Sequence, residues 1–307
     1  MKCNNNEPQI FYSLDLALKT PNEVKILDLN NINLIKIPQE IFELSNLEEL
    51  LIYNNQIKEI PSEIIKLKKL KKLNISGNNL ITIPDTISGL ENLELLILSW
   101  NSIIELPNSI GNFKQLKILS LSNNNIKYLP EEISNISSIE ELILNENNLL
   151  ELPENIGNMS SLKKLRIGGN YLKKLPNSIT KLINLDKLEV HQNNLIELPE
   201  NIGNMSSLTK LRAYNNLLTE LPNSICKLKN LKKLILFKND LEKLPDNFSH
   251  LTKLIELDIS INELTEMPKN INKLKNLRIA NFGRNNFSQT EKVRIQSELA
   301  DTSINWN

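Results

Sequence analysis

The chain has little of what most enzymes and small secreted domains depend on. It holds only two cysteines, Cys3 and Cys226, and eight glycines among 307 residues. Two cysteines so far apart do not form a disulfide framework, so we expect a reducing compartment. The sequence also lacks the phosphate-binding, dinucleotide-binding, HExxH and CxxC patterns of common catalytic and metal sites. We therefore expect no catalytic residue, no metal and no cofactor.

Net charge and long apolar runs are missing as well. The 36 basic residues balance 36 acidic ones, which disfavours a nucleic-acid partner. No apolar run approaches the roughly 20 residues of a membrane-spanning helix, and the first residues, MKCNNNEPQIFYSLDLALK, lack the apolar core of a secretory signal. We expect a cytoplasmic protein with no membrane partner and no small-molecule substrate.

An internal repeat of 23 residues fills most of the chain. It occurs eleven times without insertion or deletion from Val24 to Asn276, and a partial twelfth copy begins at Leu277. Of 13 prolines, 11 recur on this period, from Pro38 to Pro268. Repeats of this length predict a solenoid, in which stacked units share one continuous core.

The apolar spacing changes within each repeat, as IEELILNENNLLELPENIGNMSS (139–161) illustrates. Apolar residues at places one, four and six predict a strand that turns these side chains inward. A spacing of three after the proline at place 15 predicts a short helical segment. The asparagine at place nine stands in every repeat except the first, which has Ile32, and we expect its amide to satisfy buried backbone groups.

The consensus LxxLxLxxNxLxxLPxxIxxLxx resembles the leucine-rich repeat family over about residues 24–287. It is most similar to the 23-residue class found in Ras-regulating scaffold proteins, plant intracellular relatives and many bacterial proteins. The resemblance implies an α/β solenoid, a horseshoe with a concave parallel sheet and short helical or 3-10 segments on the convex side. It also implies a non-enzymatic platform that binds a protein, with small GTPases and kinases among the possible partner classes.

The two ends depart from the repeat and are predicted to cap it. In residues 1–23, the polar start (1–8) is expected to be disordered, and an amphipathic helix is predicted from Phe11 to Lys19. In residues 288–307, Ser288 and Glu291 have capping-box spacing and predict a helix, followed by a short strand at 303–306. We expect a helix at each end of the array.

Places three, five, seven and eight point outward and are free to serve a partner. We predict an apolar part in repeats 2–6 and a basic–aromatic part in repeats 7–10, because exposed aromatics with arginine are common interface anchors. The predicted partner-binding residues are Tyr53, Leu95, Ile97, Trp100, Ile118, Ile143, Lys164, Arg166, Lys187, His191, Lys210, Arg212, Tyr214, Lys233 and Phe237. They predict an acidic, partly apolar protein partner in intracellular signalling.

Other interpretations of the same residues stay open. The lysines can be solvated residues multiplied by the copying of repeats, with no partner. The protein can be a secreted or surface host-interaction protein, which the missing signal sequence disfavours. The lysine row with Tyr214 can bind RNA or DNA, which the balanced charge disfavours. A catalytic domain on a longer native chain is a further alternative.

Overall fold

The computed structural model describes residues 9–307 and contains short strands, two α-helices and a series of 3-10 helices. The strands are β1 (Ile10–Phe11), β2 (Ile26–Asp28), β3 (Glu49–Leu51), β4 (Lys72–Asn74), β5 (Leu95–Ile97), β6 (Ile118–Ser120), β7 (Glu141–Ile143), β8 (Lys164–Arg166), β9 (Lys187–Glu189), β10 (Lys210–Arg212), β11 (Lys233–Ile235), β12 (Glu256–Asp258), β13 (Ile279–Asn281) and β14 (Ser303–Asn305). The α-helices are α1 (Leu14–Ala17) and α2 (Gln289–Glu298).

The 3-10 helices alternate with the strands. They are Pro21–Glu23, Gln39–Glu43, Ser62–Lys66, Asp85–Gly89, Asn108–Asn112, Glu131–Asn135, Ile156–Asn158, Asn177–Lys181, Ile202–Asn204, Asn223–Lys227, Asp246–His250 and Ile271–Lys273. No helix within residues 9–307 has the length and apolar character that a bilayer crossing requires.

The described chain divides into two compact units, one ending at Glu141 and the other beginning at Leu142. In the first unit, β1 to β6 pair in chain order, each parallel to the next. In the second unit, β8 to β14 do the same. Equal places of successive repeats face each other, as Leu211 and Leu234 do. The predicted solenoid with a parallel sheet is confirmed.

The core consists of the places predicted to point inward. Places one, four and six of repeat 9 are Leu208, Leu211 and Ala213, and all three are fully buried. Ile202 and Met205, on the 3-10 side of the preceding repeat, are also fully buried. Each large apolar side chain contributes roughly 1.5–3 kcal/mol on burial, so the repeated leucines hold strand and 3-10 helix together.

The recurring proline starts the 3-10 segment, as predicted. Pro61 has φ −70°, and its carbonyl accepts a hydrogen bond of 3.1 Å from the N–H of Ile64. A proline at this position loses nothing, because the first N–H groups of a helix have no partner within the helix.

The asparagine at place nine joins each repeat to the one before it. The side-chain amide of Asn216 donates to the carbonyl oxygens of Val190 (3.0 Å) and Ala213 (3.1 Å), and its Oδ1 accepts from the N–H of Leu195 (3.0 Å). Val190 and Leu195 belong to the preceding repeat. Ile32 therefore fits the first repeat, which has no earlier repeat to join, and the inward assignment of place nine is confirmed.

The N-terminal helix is shorter than predicted. Helix α1 spans only Leu14–Ala17, starting after Ser13, whose hydroxyl accepts from the N–H of Leu16 (3.4 Å). Phe11 was predicted on the helix, but it lies in β1 opposite Leu27, because pairing with β2 outweighs the helical spacing of the apolar residues. Residues 1–8, predicted to be disordered, lie outside the described residues.

The C-terminal elements form where the sequence predicts them. The Ser288 hydroxyl accepts from the N–H of Glu291 (3.1 Å) at the start of α2, which is one half of a capping box, while the Glu291 carboxylate accepts from the N–H of Met267 (2.8 Å). Strand β14 then pairs with β13 in parallel. A helix thus lies near each end of the described chain, while the capping role of these segments stays a prediction.

Candidate protein-binding face

The outward residues of β8 to β11 and of the places after them make up what we call the basic–aromatic face, in the second unit. Its first row contains Lys164, Lys187, Lys210 and Lys233, which face one another across adjacent strands. At a strand spacing of about 4.8 Å, this row is about 14 Å long. The second row contains Arg166, Glu189 and Arg212, also in register. The third row contains His191, Tyr214 and Phe237.

Glu189 lies at the centre of this face and is only 7% exposed. Its carboxylate is 3.1 Å from Nζ of Lys210, 3.6 Å from Nη1 of Arg212 and 3.7 Å from Nε of Arg166. Burial alone would raise the pKa of Glu189, but the hydrogen bond from Lys210 and the charges of Lys210, Arg212 and Arg166 outweigh it and lower the pKa. One ionised carboxylate thus contacts three cations, and Lys210 and Arg212 alone already outnumber it.

The aromatic row forms a continuous stack. The ring centroids of His191 and Tyr214 are 4.5 Å apart, and those of Tyr214 and Phe237 are 4.4 Å apart, with interplanar angles of 16° and 9°. The stack begins over Gly168, where an added Cβ would overlap the His191 ring. Because the ring faces cover one another, the stack presents mainly ring edges to the surface.

His191 is half-buried in the stack. Its Nδ1 is buried and has no hydrogen-bond partner among the described residues. Burial lowers the pKa of His191, and the charges of Arg212 and Lys210 lower it further, against an opposing effect of Glu189. These effects favour the neutral ring, which contributes as an aromatic surface rather than as a cation.

The lysine row is less uniform than its sequence suggests. Lys233 pairs with Glu256 at 2.6 Å, and Lys210 pairs with Glu189. The side chain of Lys187 makes no ion pair or hydrogen bond within the described residues. The positive charge available to a partner is therefore concentrated near β9 and β10 rather than spread evenly along the row.

The predicted apolar part is interrupted. Leu95, Ile97 and Ile118 come together on β5 and β6, and all three are half-buried. Tyr53 is separated from them by β4, whose outward residues include Lys72, paired with Glu49 at 3.2 Å. Ile143, on β7, lies in the second unit. Three of the predicted apolar residues therefore form a cluster in the first unit, with the exposed Trp100 following β5 in the chain.

Place eight differs from the prediction of an extended outward residue. In all twelve repeats it has a positive φ, at Asn31, Asn54, Gly77, Trp100, Asn123, Glu146, Gly169, Gln192, Asn215, Lys238, Ile261 and Arg284. Glycine and asparagine adopt this left-handed conformation readily, and their frequency at place eight was a readable signal of a turn. The large side chains of Trp100 and Ile261 are held there at a cost in backbone strain.

A second feature, missed in the sequence, is a row of alternating charge at place two. In the first unit it contains Lys25, Glu48, Lys71, Glu94 and Lys117. Glu48 contacts Lys25 at 3.2 Å and Lys71 at 2.6 Å, and Glu94 contacts Lys117 at 2.7 Å. The hydrogen bond from Lys71, with that from Lys25, lowers the pKa of Glu48. The alternation was legible in the sequence because equal places of successive repeats stack.

The described residues offer no evident metal or thiol chemistry. Residues 9–307 contain no cluster of three or more histidine, cysteine or acidic side chains that could hold a metal ion. Cys226 is buried, and burial raises the pKa of its thiol, which disfavours the reactive thiolate.

Comparison with known proteins identifies the family. A model of the leucine-rich repeat region matches residues 18–100, 93–167 and 142–218, and the chain belongs to the leucine-rich repeat family. Proteins of this family are generally non-enzymatic interaction modules. No curated protein has a significant sequence match to this chain.

Solved structures support the same fold. A leucine-rich repeat protein of Leptospira interrogans is 30% identical, with TM-score 0.61, and the match covers 97% of this chain and 100% of that one. YopM, a leucine-rich effector protein from Yersinia pestis, is 32% identical, with TM-score 0.67, over 84% of this chain and 65% of that one. The plant peptide hormone receptor RGFR1, solved in complex with RGF2, is 27% identical, with TM-score 0.56, over 90% of this chain and 57% of that one.

Proposed function

We propose that this protein is a non-enzymatic interaction module that binds an acidic, partly apolar protein partner on the outward face of its strands. The observation that carries the proposal is the charge of the basic–aromatic face. The outward places of repeats 7–10 hold seven cations and one carboxylate, Glu189, although the whole chain is neutral. Such a local field steers acidic partners, and the neighbouring aromatic side chains supply contact area.

A role as a cytoplasmic signalling scaffold is part of this proposal. It is supported by the resemblance to the 23-residue repeat class of Ras-regulating scaffolds, which also suggests small GTPases or kinases as partner classes. The receptor complex among the similar structures supports a protein or peptide ligand as the more general expectation.

A second candidate is a secreted or surface protein that contacts a host. The similarity to a Leptospira protein and to a Yersinia effector favours this alternative. Fractionation of the native cells and their medium, with detection of the protein by mass spectrometry, separates the two candidates. Recovery in the medium or on the cell surface would support the second one.

The binding face is tested by changing four lysines, Lys164, Lys187, Lys210 and Lys233, together to glutamate. The matched control changes four other lysines to glutamate: Lys173, Lys174, Lys181 and Lys227. These are exposed in the same unit but lie outside the strands. Partners captured from native lysate are purified, and their affinities for the three proteins are measured by calorimetry. The proposal predicts lost binding for the face variant alone. Equal affinity for both variants would contradict it.

A further inference from the structure

The surroundings of Glu189 suggest the chemistry that the face recognises. We propose that the basic–aromatic face is a carboxylate-binding site for an acidic peptide segment, whose aspartate or glutamate side chains bind Arg212 and Lys187 beside Glu189. This inference rests on the proposed function, since it names the ligand chemistry of the same face.

The first argument is the balance of charge. Three cations, Arg166, Lys210 and Arg212, lie within 3.7 Å of one buried carboxylate, and Lys187 stands two residues before it on the same strand. Their excess positive charge lies beside a stack of apolar rings, where screening by water is weaker than on an open surface. A partner carboxylate placed there completes the neutralisation that Glu189 begins.

The second argument is the supply of hydrogen-bond donors. Nη1 of Arg212 is 3.6 Å from Glu189, longer than the 2.7–2.9 Å of a charge-assisted hydrogen bond. The side chain of Arg212 is 41% exposed and makes no hydrogen bond among the described residues. The side chain of Lys187, in the same strand as Glu189, makes no hydrogen bond or ion pair among the described residues either. Arg212 can therefore receive a carboxylate in the bidentate geometry that guanidinium groups favour.

The third argument comes from the aromatic stack. His191, Tyr214 and Phe237 cover one another's faces and expose edges, which carry the positive end of the ring quadrupole. Edges suit the oxygen atoms and backbone of an acidic peptide. Nucleic-acid bases need free ring faces for stacking, and the interior of this stack provides none. The observations thus favour an acidic peptide over a single-stranded nucleic acid.

Glu189 acts as a positioning residue in this site and also competes with the ligand. It orients Lys210 and the two arginines, and it reduces the charge that a peptide meets. Glu189→Gln retains the side-chain volume and removes the negative charge. We expect the variant to be less stable and yet to bind an acidic peptide more tightly, whereas a purely structural role would lower stability without raising affinity.

The test uses fluorescein-labelled decapeptides with two aspartates separated by one, two or three residues, and matched peptides with asparagine. Fluorescence anisotropy with the wild-type protein should show about tenfold or greater preference for an aspartate peptide, the effect of roughly one charge-assisted contact. Arg212→Gln and Lys187→Gln should each remove most of this preference. The matched control, Lys181→Gln, should leave it unchanged.

The inference would be overturned by equal binding of aspartate and asparagine peptides, including no binding of either, or by a preference that survives the combined Arg212→Gln and Lys187→Gln changes. Tighter binding of single-stranded DNA than of every aspartate peptide would also overturn it. The lysate experiment separates this failure from that of the proposed function. A partner lost only by the four-glutamate face variant would keep the face as a binding site with different chemistry.

Discussion

At the scale of single residues, the asparagine at place nine and the residue at place eight have different roles, one in stability and the other in binding. Asn216 satisfies backbone groups of its own and of the preceding repeat, so its value is structural. Trp100 occupies a left-handed position at φ 58° and is 66% exposed. A residue that strains the backbone while exposing a large aromatic surface is better explained by binding than by folding.

We predict that Asn216→Ala destabilises the protein by about 1–3 kcal/mol, because buried carbonyl and N–H groups lose their partners. Chemical denaturation measures the change. The control is Asn194→Ala, because Asn194 occupies place ten of the preceding repeat and is exposed. The stability of this variant should stay within about 0.5 kcal/mol of wild type. Equal effects of the two substitutions would show that the place-nine amide is not the link between repeats.

We predict that Trp100→Asn stabilises the protein by roughly 1 kcal/mol, because asparagine tolerates the left-handed conformation that Asn54 and Asn123 adopt at the same place. Denaturant titration tests the stability. Binding of a partner that contacts the first unit should weaken at the same time. A loss of stability would instead indicate that the indole packs as part of the fold.

Titration of two residues predicts the acid sensitivity of the second unit. The lowered pKa of Glu189 contributes stability above its ordinary pKa, and this is lost as pH falls through the lower folded value. The lowered pKa of His191 means that the unfolded chain binds its proton more readily, so acidification below about pH 6.5 also reduces stability. Thermal unfolding between pH 7 and pH 3 should show both losses of stability. His191→Phe should remove the loss that begins below about pH 6.5.

At the scale of elements, the repeat made most of the fold predictable from sequence. Strands, inward leucines and proline-initiated 3-10 segments follow from local spacing. Strand β1 does not, because Phe11 is placed by pairing with Leu27 rather than by its own neighbours. The aromatic stack needed one more step, namely that His191, Tyr214 and Phe237 occupy equal places in neighbouring repeats. The left-handed φ at Trp100 follows only from the glycines and asparagines at the same place in other repeats, since tryptophan itself does not indicate it.

The alternating charges at place two supply a prediction about the first unit. Glu48→Lys puts a third like charge between Lys25 and Lys71, and we expect it to lower stability by roughly 1 kcal/mol or less at low salt. High salt should reduce the difference, because exposed charges are screened. Thermal unfolding of this variant and of Glu48→Gln at two salt concentrations tests the effect. A loss independent of salt would point to packing instead of charge.

At the scale of the whole molecule, charge balance conceals a strongly polarised surface. The 36 basic and 36 acidic residues cancel, yet the face of repeats 7–10 is basic around a buried Glu189. Composition therefore gives no sign of this face, and the register of the strands was needed to bring the cations together. The identity of the partner depends on that surface and not on the fold, because the leucine-rich repeat fold is shared by proteins that differ in their ligands.

The most direct test of the binding face is lysine footprinting with a captured partner. Acetylation of each lysine, with and without the partner, is quantified by mass spectrometry. We predict protection of Lys187, Lys210 and Lys233 in the strands, and unchanged reactivity of Lys181 and Lys227 in the 3-10 helices. Protection of Lys181 and Lys227, with the strand lysines unchanged, would contradict the account and place binding on the opposite side of the second unit.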